Sequence, residues 1–202
     1  IFMNRIIFLG DSITDAHHNL GVDPLSLGDG YVQLIAQKLR NTEPGIQVLN
    51  RGHDGFTLQG VLRFLGRDCI LQKPDVVSIL VGCNDVGVMM NTGKDLTDQG
   101  FAENYERLLT EIQEETGARI VCMGPFLFPY PLEYQNWIPG ILQAEQIIRE
   151  VAGRHHQLFI PLHEEMQEAA ERYGYDALTT DGIHLTRKGA EIVADRWIKG
   201  VK

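Results

Sequence analysis

Four short polar segments carry residues suited to acyl transfer: Gly10-Asp11-Ser12-Ile13-Thr14-Asp15, Asn50-Arg51-Gly52-His53-Asp54-Gly55-Phe56, Gly82-Cys83-Asn84-Asp85 and Asp181-Gly182-Ile183-His184. Ser12 follows a glycine where a strand-like run ends. On such a sharp turn its hydroxyl is exposed, and free backbone N–H groups favour a developing anion. Asp181 and His184 are three residues apart. That spacing lets a carboxylate reach Nδ1 of the imidazole, fix its tautomer and leave Nε2 for a hydroxyl. The side-chain amide of Asn84 and the backbone N–H of Gly55 are donors of the kind that hold an oxyanion. Each residue also fits a plainer role. Asp11 or Ser12 can cap a helix. Asn84 and Gly55 can be turn residues. Asp181–His184 can be a surface turn before a helix whose N-cap is Thr186. Cys83 is a rival nucleophile but reads more simply as a small buried hydrophobe. Asp11, Asp15, Asp54 and Asp85 crowd the same segments and leave a metal site open as an alternative. His17, His18, His53, His155, His156 and His163 lack the i, i+4 spacing of helical metal ligands and read as surface or packing residues. No phosphate-binding glycine loop is present.

These segments need elements to hold them. Short β-branched runs at Arg5–Leu9, Ile46–Asn50, Asp75–Gly82, Ala118–Met123 and Gln157–Ile160 read as strands. The third is apolar almost throughout, as for a central parallel strand buried on both faces. Between them lie stripes of helical period: Val32, Ile35, Ala36 and Leu39; Leu58, Val61, Leu62 and Leu65; Tyr105, Leu108, Leu109 and Ile112; Ile141, Ala144, Ile148 and Val151. Two more follow, Met166 to Tyr173 and Ala190 to Trp197. Strands alternating with helices imply βαβ units, a parallel sheet and right-handed crossovers, hence helices on both faces. Val86–Gly100 and the proline- and aromatic-rich Pro125–Pro139 are expected to be irregular, as lids or pocket walls. In open α/β sheets ligands bind beyond the carboxyl ends of the strands, where three of the four segments fall.

Composition narrows the classes further. A chain of 202 residues with ordinary globular composition predicts one domain, 1–202. Its 27 acidic against 18 basic residues leave a net charge of −9. That speaks against nucleic-acid and anionic-membrane partners. The longest apolar run, Val76–Cys83, is too short to span a bilayer. Ile1–Gly10 has no signal-peptide pattern, although a removed signal stays open. Cys69, Cys83 and Cys122 fit neither a disulfide framework nor a zinc motif. They predict free thiols and a cytoplasmic setting.

Taken together, the ordered segments resemble the SGNH hydrolases, the GDSL-type esterases. Gly10–Thr14 resembles their first block, Asn50–Thr57 the second, Gly82–Asp85 the G-x-N-D third and Asp181–His184 the D-x-x-H fifth. The resemblance implies a three-layer α/β/α sandwich around a five-stranded parallel, flavodoxin-like sheet. It also implies a Ser12–His184–Asp181 catalytic set and an oxyanion hole of Ser12, Gly55 and Asn84, with no metal and no cofactor. Leu27–Leu34, Pro74–Asp85 and Met123–Phe126 are similar to the single-domain branch that includes acetylxylan esterases and other carbohydrate deacetylases. Leu185-Thr186 stands where that branch often has Pro-Thr, and Gly182-Ile183 where it often has an aromatic. The expectation is a serine esterase for small acyl esters, acetyl above all, with acetylated saccharides as candidate substrates. Asp15 and Phe56 are expected to touch the substrate. A lysophospholipase or thioesterase on the same set is the alternative, and a non-catalytic carbohydrate-binding domain or a metal-dependent phosphoesterase are the rivals from other classes. Assembly into a homo-oligomer is left open.

Overall fold

The computed structural model describes residues 3–202, so the strand-like start expected at Ile1 and Phe2 lies outside the described residues. In chain order the elements are β1 (Arg5–Gly10), α1 (Ser12–Asp15), α2 (Tyr31–Thr42), β2 (Gln47–Gly52), α3 (Leu58–Arg63), α4 (Leu65–Asp68), β3 (Val76–Leu80), α5 (Cys83–Thr92), α6 (Phe101–Thr116), β4 (Arg119–Met123), α7 (Ile138–Arg154), β5 (Leu158–Ile160), α8 (His163–Tyr173) and α9 (Arg187–Val201). The strands form one five-stranded sheet in the order β2-β1-β3-β4-β5. Every pairing is parallel. This is the three-layer α/β/α arrangement with the flavodoxin-like strand order expected above.

Alternation along the strands builds the layers, because successive side chains point to opposite faces. Ile7, Leu9, Val77, Ile79, Ile120 and Cys122 face α3 to α7. Ile6, Phe8, Val76, Leu80, Val121 and Met123 face α2, α8 and α9. Trp197 of α9 is fully buried against Phe8, with ring centroids 5.5 Å apart. Its indole N–H donates to Ser78 Oγ at 3.0 Å. That bond satisfies a hydroxyl in the middle of the sheet, where an unpaired one would cost about 1–3 kcal/mol. No helix among the described residues is long and apolar enough to cross a membrane.

Two expectations need correction. The single stripe Leu58–Leu65 is broken into α3 and α4 at Phe64. Val86–Gly100 is not irregular at its start. It begins inside α5, whose Cys83-to-Thr92 turns end at Gly93 in the left-handed region. The polar residues of α5 hide its buried stripe of Cys83, Val86 and Gly87, which is too short to show a strong period. Pro125–Pro139 is irregular to Pro131, then makes a 3₁₀ turn, Leu132–Trp137, and runs into α7.

Sheet order decides what meets what. The connections change direction between β1 and β3, the topological switch point. Gly10 is in register with Gly52 of β2 and with Leu80 of β3. Ser12, Gly55 and Asn84 therefore follow three adjacent strands at the same edge.

Candidate active site

Ser12 stands at the first position of α1, directly after its N-cap. Asp11 Oδ1 accepts from the Ile13 amide at 2.9 Å and spares the Ser12 amide. The tight exit from β1 needs Gly10. A Cβ there would sit 2.1 Å from Thr14 Oγ1 and 2.6 Å from the Leu80 carbonyl oxygen. Ser12 Oγ lies 2.8 Å from His184 Nε2. His184 Nδ1 lies 2.6 Å from Asp181 Oδ2. With a carboxylate partner at Nδ1, that nitrogen carries the proton and Nε2 is left to accept from the serine. Asp181 Oδ1 accepts from the amides of Ile183 and His184 at 2.9 and 2.8 Å. Burial alone would raise the Asp181 carboxyl, but the His184 ring and these two amides outweigh it and hold it below the usual range.

The turn around Asp181 is closed by a residue to which the sequence does not point. Thr179 Oγ1 donates to the His184 carbonyl at 2.7 Å and accepts from the Gly182 amide at 2.8 Å. The Phe128 amide donates to the Gly182 carbonyl at 2.9 Å, which fastens the aromatic loop to the same turn. Tyr134 packs edge-on to Trp137 with centroids 4.8 Å apart. No spacing rule signals Thr179, because its partners lie across a loop rather than on a periodic face.

On the other side, Gly55 has φ of +76°, a left-handed conformation that favours glycine. Among the described residues its amide and that of Ser12 have no hydrogen-bond partner in the protein. The Asn84 amide donates to the Phe56 carbonyl at 3.0 Å, which orients the side chain. Asp85, next in α5, accepts from the Leu58 amide at 3.1 and 3.3 Å and so caps α3. Burial pushes the Asp85 carboxyl up to about 6. Burial also pushes Asp11 up to about 7, opposed by the Ile13 amide and reinforced by Asp85.

The remaining candidates separate by contact. Ser12, Asp181 and His184 line a cleft of about 610 Å³ with Asp15, His17, His18, Asp29, Asp54 and Thr180. Asp15 also has a structural role. Its Oδ2 accepts from the Asp54 amide at 3.2 Å and its Oδ1 from the His18 amide at 3.2 Å. Gly55, Phe56 and Asn84 do not line this cleft, and the Phe56 ring lies on His53 and Phe64 at 4.5 and 5.7 Å. Cys83 is buried and its thiol is raised by burial and by Asp11, which makes it a poor nucleophile. Asp11, Asp85 and Asp15 are each engaged with different amides, and no three metal-ligating side chains converge among the described residues.

Known proteins share this arrangement of elements. A family model described as the GDSL-like lipase/acylhydrolase family matches residues 8–192. An acetylxylan esterase from Geobacillus stearothermophilus is 28% identical over 98% of this chain and 93% of its own. An isoamyl acetate-hydrolysing esterase from Saccharomyces cerevisiae is 22% identical over 98% of this chain and 86% of its own. A crystal structure of the Geobacillus acetylxylan esterase superposes with a TM-score of 0.86 at 26% identity, covering 98% of this chain and 94% of that one. A fold matched end to end, and a family model spanning all but the two ends, leave one assignment: the chain belongs to the GDSL-like lipase/acylhydrolase family and is a carboxylic ester hydrolase.

Proposed function

We propose that this single-domain chain is a serine esterase that removes small acyl groups, acetyl above all, from a hydroxyl-rich alcohol such as a saccharide. The observation that carries the reading is the relay Ser12 Oγ–His184 Nε2–Asp181, with 2.8 and 2.6 Å between its members. His184 Nε2 takes the Ser12 proton as Oγ bonds to the ester carbonyl carbon, and Asp181 stabilises the imidazolium. The carbonyl oxygen becomes an oxyanion against the Ser12 and Gly55 amides and the Asn84 side chain. The carbonyl re-forms, the C–O bond to the alcohol breaks, and His184 Nε2–H protonates the departing oxygen. Water then attacks the acyl-serine while His184 accepts its proton. Ser12 Oγ leaves with that proton as the acid departs. No step needs a cofactor.

Two features support a polar alcohol. The cleft beside Ser12 offers Asp15, Asp29, Asp54, His17, His18 and Thr180 as partners for hydroxyl groups, next to an apolar side of Ile13, Tyr31, Leu185 and Ala190 that an acyl methyl can meet. Both named relatives act on acetate esters by their names, an acetylated xylan and isoamyl acetate. A neutral saccharide is not repelled by the net charge of −9, whereas nucleic acid and anionic lipid are. The free, buried cysteines accord with a reducing compartment, and the cytoplasm is the proposed location.

The test is a panel of esters from acetyl to dodecanoyl, with acetylated xylose and xylo-oligosaccharides, alongside Ser12→Ala and a serine-reactive phosphonate. We expect acetyl esters to be fastest, labelling confined to Ser12, and kcat in Ser12→Ala lower by on the order of 10⁶ with the fold kept. Rates that climb with chain length would replace the saccharide reading with the lipid one. Labelling at Cys83, or turnover retained in Ser12→Ala, would overturn the mechanism.

A further inference from the structure

The oxyanion donors Gly55 and Asn84 share one upstream anchor that plays no part in the steps above. Asp68 closes α4 and is buried. Its Oδ2 lies 2.7 Å from His53 Nε2, and its Oδ1 accepts from Arg67 Nε at 2.8 Å. The Arg67 guanidinium lies over the Phe64 ring, 4.5 Å from its centroid. Phe64 in turn stacks on Phe56. Burial would raise the Asp68 carboxyl, but His53 and Arg67 outweigh it and hold it low. An ionised Asp68 makes His53 Nε2–H the donor.

We propose that His53, held by Asp68, is a positioning residue for the oxyanion site; this rests on the serine-esterase reading. Three contacts transmit its position. The His53 amide donates to the Gly10 carbonyl at 3.0 Å, which references it to the strand that ends beside Ser12. The His53 carbonyl accepts from the Phe56 amide at 3.1 Å, closing the turn that holds Gly55 in its left-handed conformation. The His53 ring packs 4.5 Å from the Phe56 ring, and the Phe56 carbonyl is what the Asn84 amide donates to at 3.0 Å. The first two contacts are made by the His53 backbone; the third runs through the imidazole, by way of Phe56, to Asn84 Nδ2. A Cβ on Gly55 would meet nothing within 4 Å, so the turn is held by its bonds: the main-chain bonds of His53, the Asp54 amide on Asp15 Oδ2, and the His53–Asp68 bond that fixes the ring.

A role through the oxyanion predicts a particular signature. His53→Ala should lower kcat at least about tenfold and KM little, because only the transition state feels the misplaced donors. The loss stays below the ~10²–10³ expected for removing a donor outright. His53→Gln, whose Nε2 can still donate to Asp68, should recover most of it. The decisive measurement is a double-mutant cycle with Asn84→Ala. If both act on one donor set, kcat of the double variant falls by clearly less than the product of the two single losses. Full multiplication of the losses, or an unchanged kcat in folded His53→Ala, rejects the inference and leaves the esterase reading standing if Asn84→Ala is itself impaired. An unimpaired Asn84→Ala removes the oxyanion reading, and this inference with it. Should His53→Ala not fold, Asp68→Asn enters the same cycle and is judged the same way.

Discussion

The two ends of the active site are built on opposite plans. At the nucleophile end, buried carboxylates lock the turns: Asp11 on the Ile13 amide, Asp85 on the Leu58 amide and Asp68 on His53. At the base end, Asp181 and His184 keep about half of their side-chain surface in water, at 50% and 45% exposed, and are held by local bonds within one turn. On the proposed reading the donors that meet a developing charge must not reorganise, and the turns that carry them are fastened by these buried carboxylates although Gly55 itself is exposed and Ser12 and Asn84 are half-buried. On the proposed mechanism the base passes protons to and from alcohol and water in each turnover, which its place at the surface allows.

Three measurements sharpen or break that contrast. The largest effect belongs to the exposed end. Asp181→Asn should lower kcat by about 10⁴, as loss of the carboxylate does in Ser-His-Asp relays generally, with Tm unchanged. A large fall in Tm would show that the turn is structural after all. Next comes the buried end. Asp85→Ala strands the Leu58 amide and should cost roughly 1–3 kcal/mol, seen as a lower Tm in thermal unfolding. An unaltered Tm would mean that water replaces the carboxylate at no cost. The smallest effect is a pH dependence. The folded-state value of Asp11, about 7, lies above the ordinary 3.8, so folding takes up a proton between those limits. Its contribution to stability is therefore greatest at low pH and is lost as pH rises to about 7. Asp11→Asn keeps an acceptor for the Ile13 amide and removes the titration. Its Tm should change less between pH 5 and pH 8 than that of the parent protein, by differential scanning calorimetry. An identical pH slope in both would assign it to other groups.

Much of this is legible in the amino-acid sequence. The near-continuous apolar run at Asp75–Gly82 marks the central strand, and it is β3. The order of the four polar segments carries the family resemblance, because each sits just past a strand or before the last helix. What stays hidden depends on contacts across the fold. Thr179 looks like any loop threonine until Gly182 and His184 fold over it. His53 reads as a packing residue because its partner, Asp68, lies fifteen residues away on another element. Helix α5 escapes a reading by period because Asn84 and Asp85 break its apolar stripe. Phe56 is expected at the substrate, but a phenyl ring on a loop can turn to either side, and here it turns to His53 and Phe64.

The chain carries two tryptophans, and the fold gives them different surroundings. Trp197 is sealed in the core with its indole N–H on Ser78, whereas Trp137 is half-buried against Tyr134 and the Gly87 backbone beside the site. The intrinsic fluorescence therefore divides the molecule. Blue-shifted emission from Trp197 follows the folded frame as a whole, while quenching by acrylamide reaches Trp137 first and reports the 3₁₀ turn that leads into α7, without any attached dye.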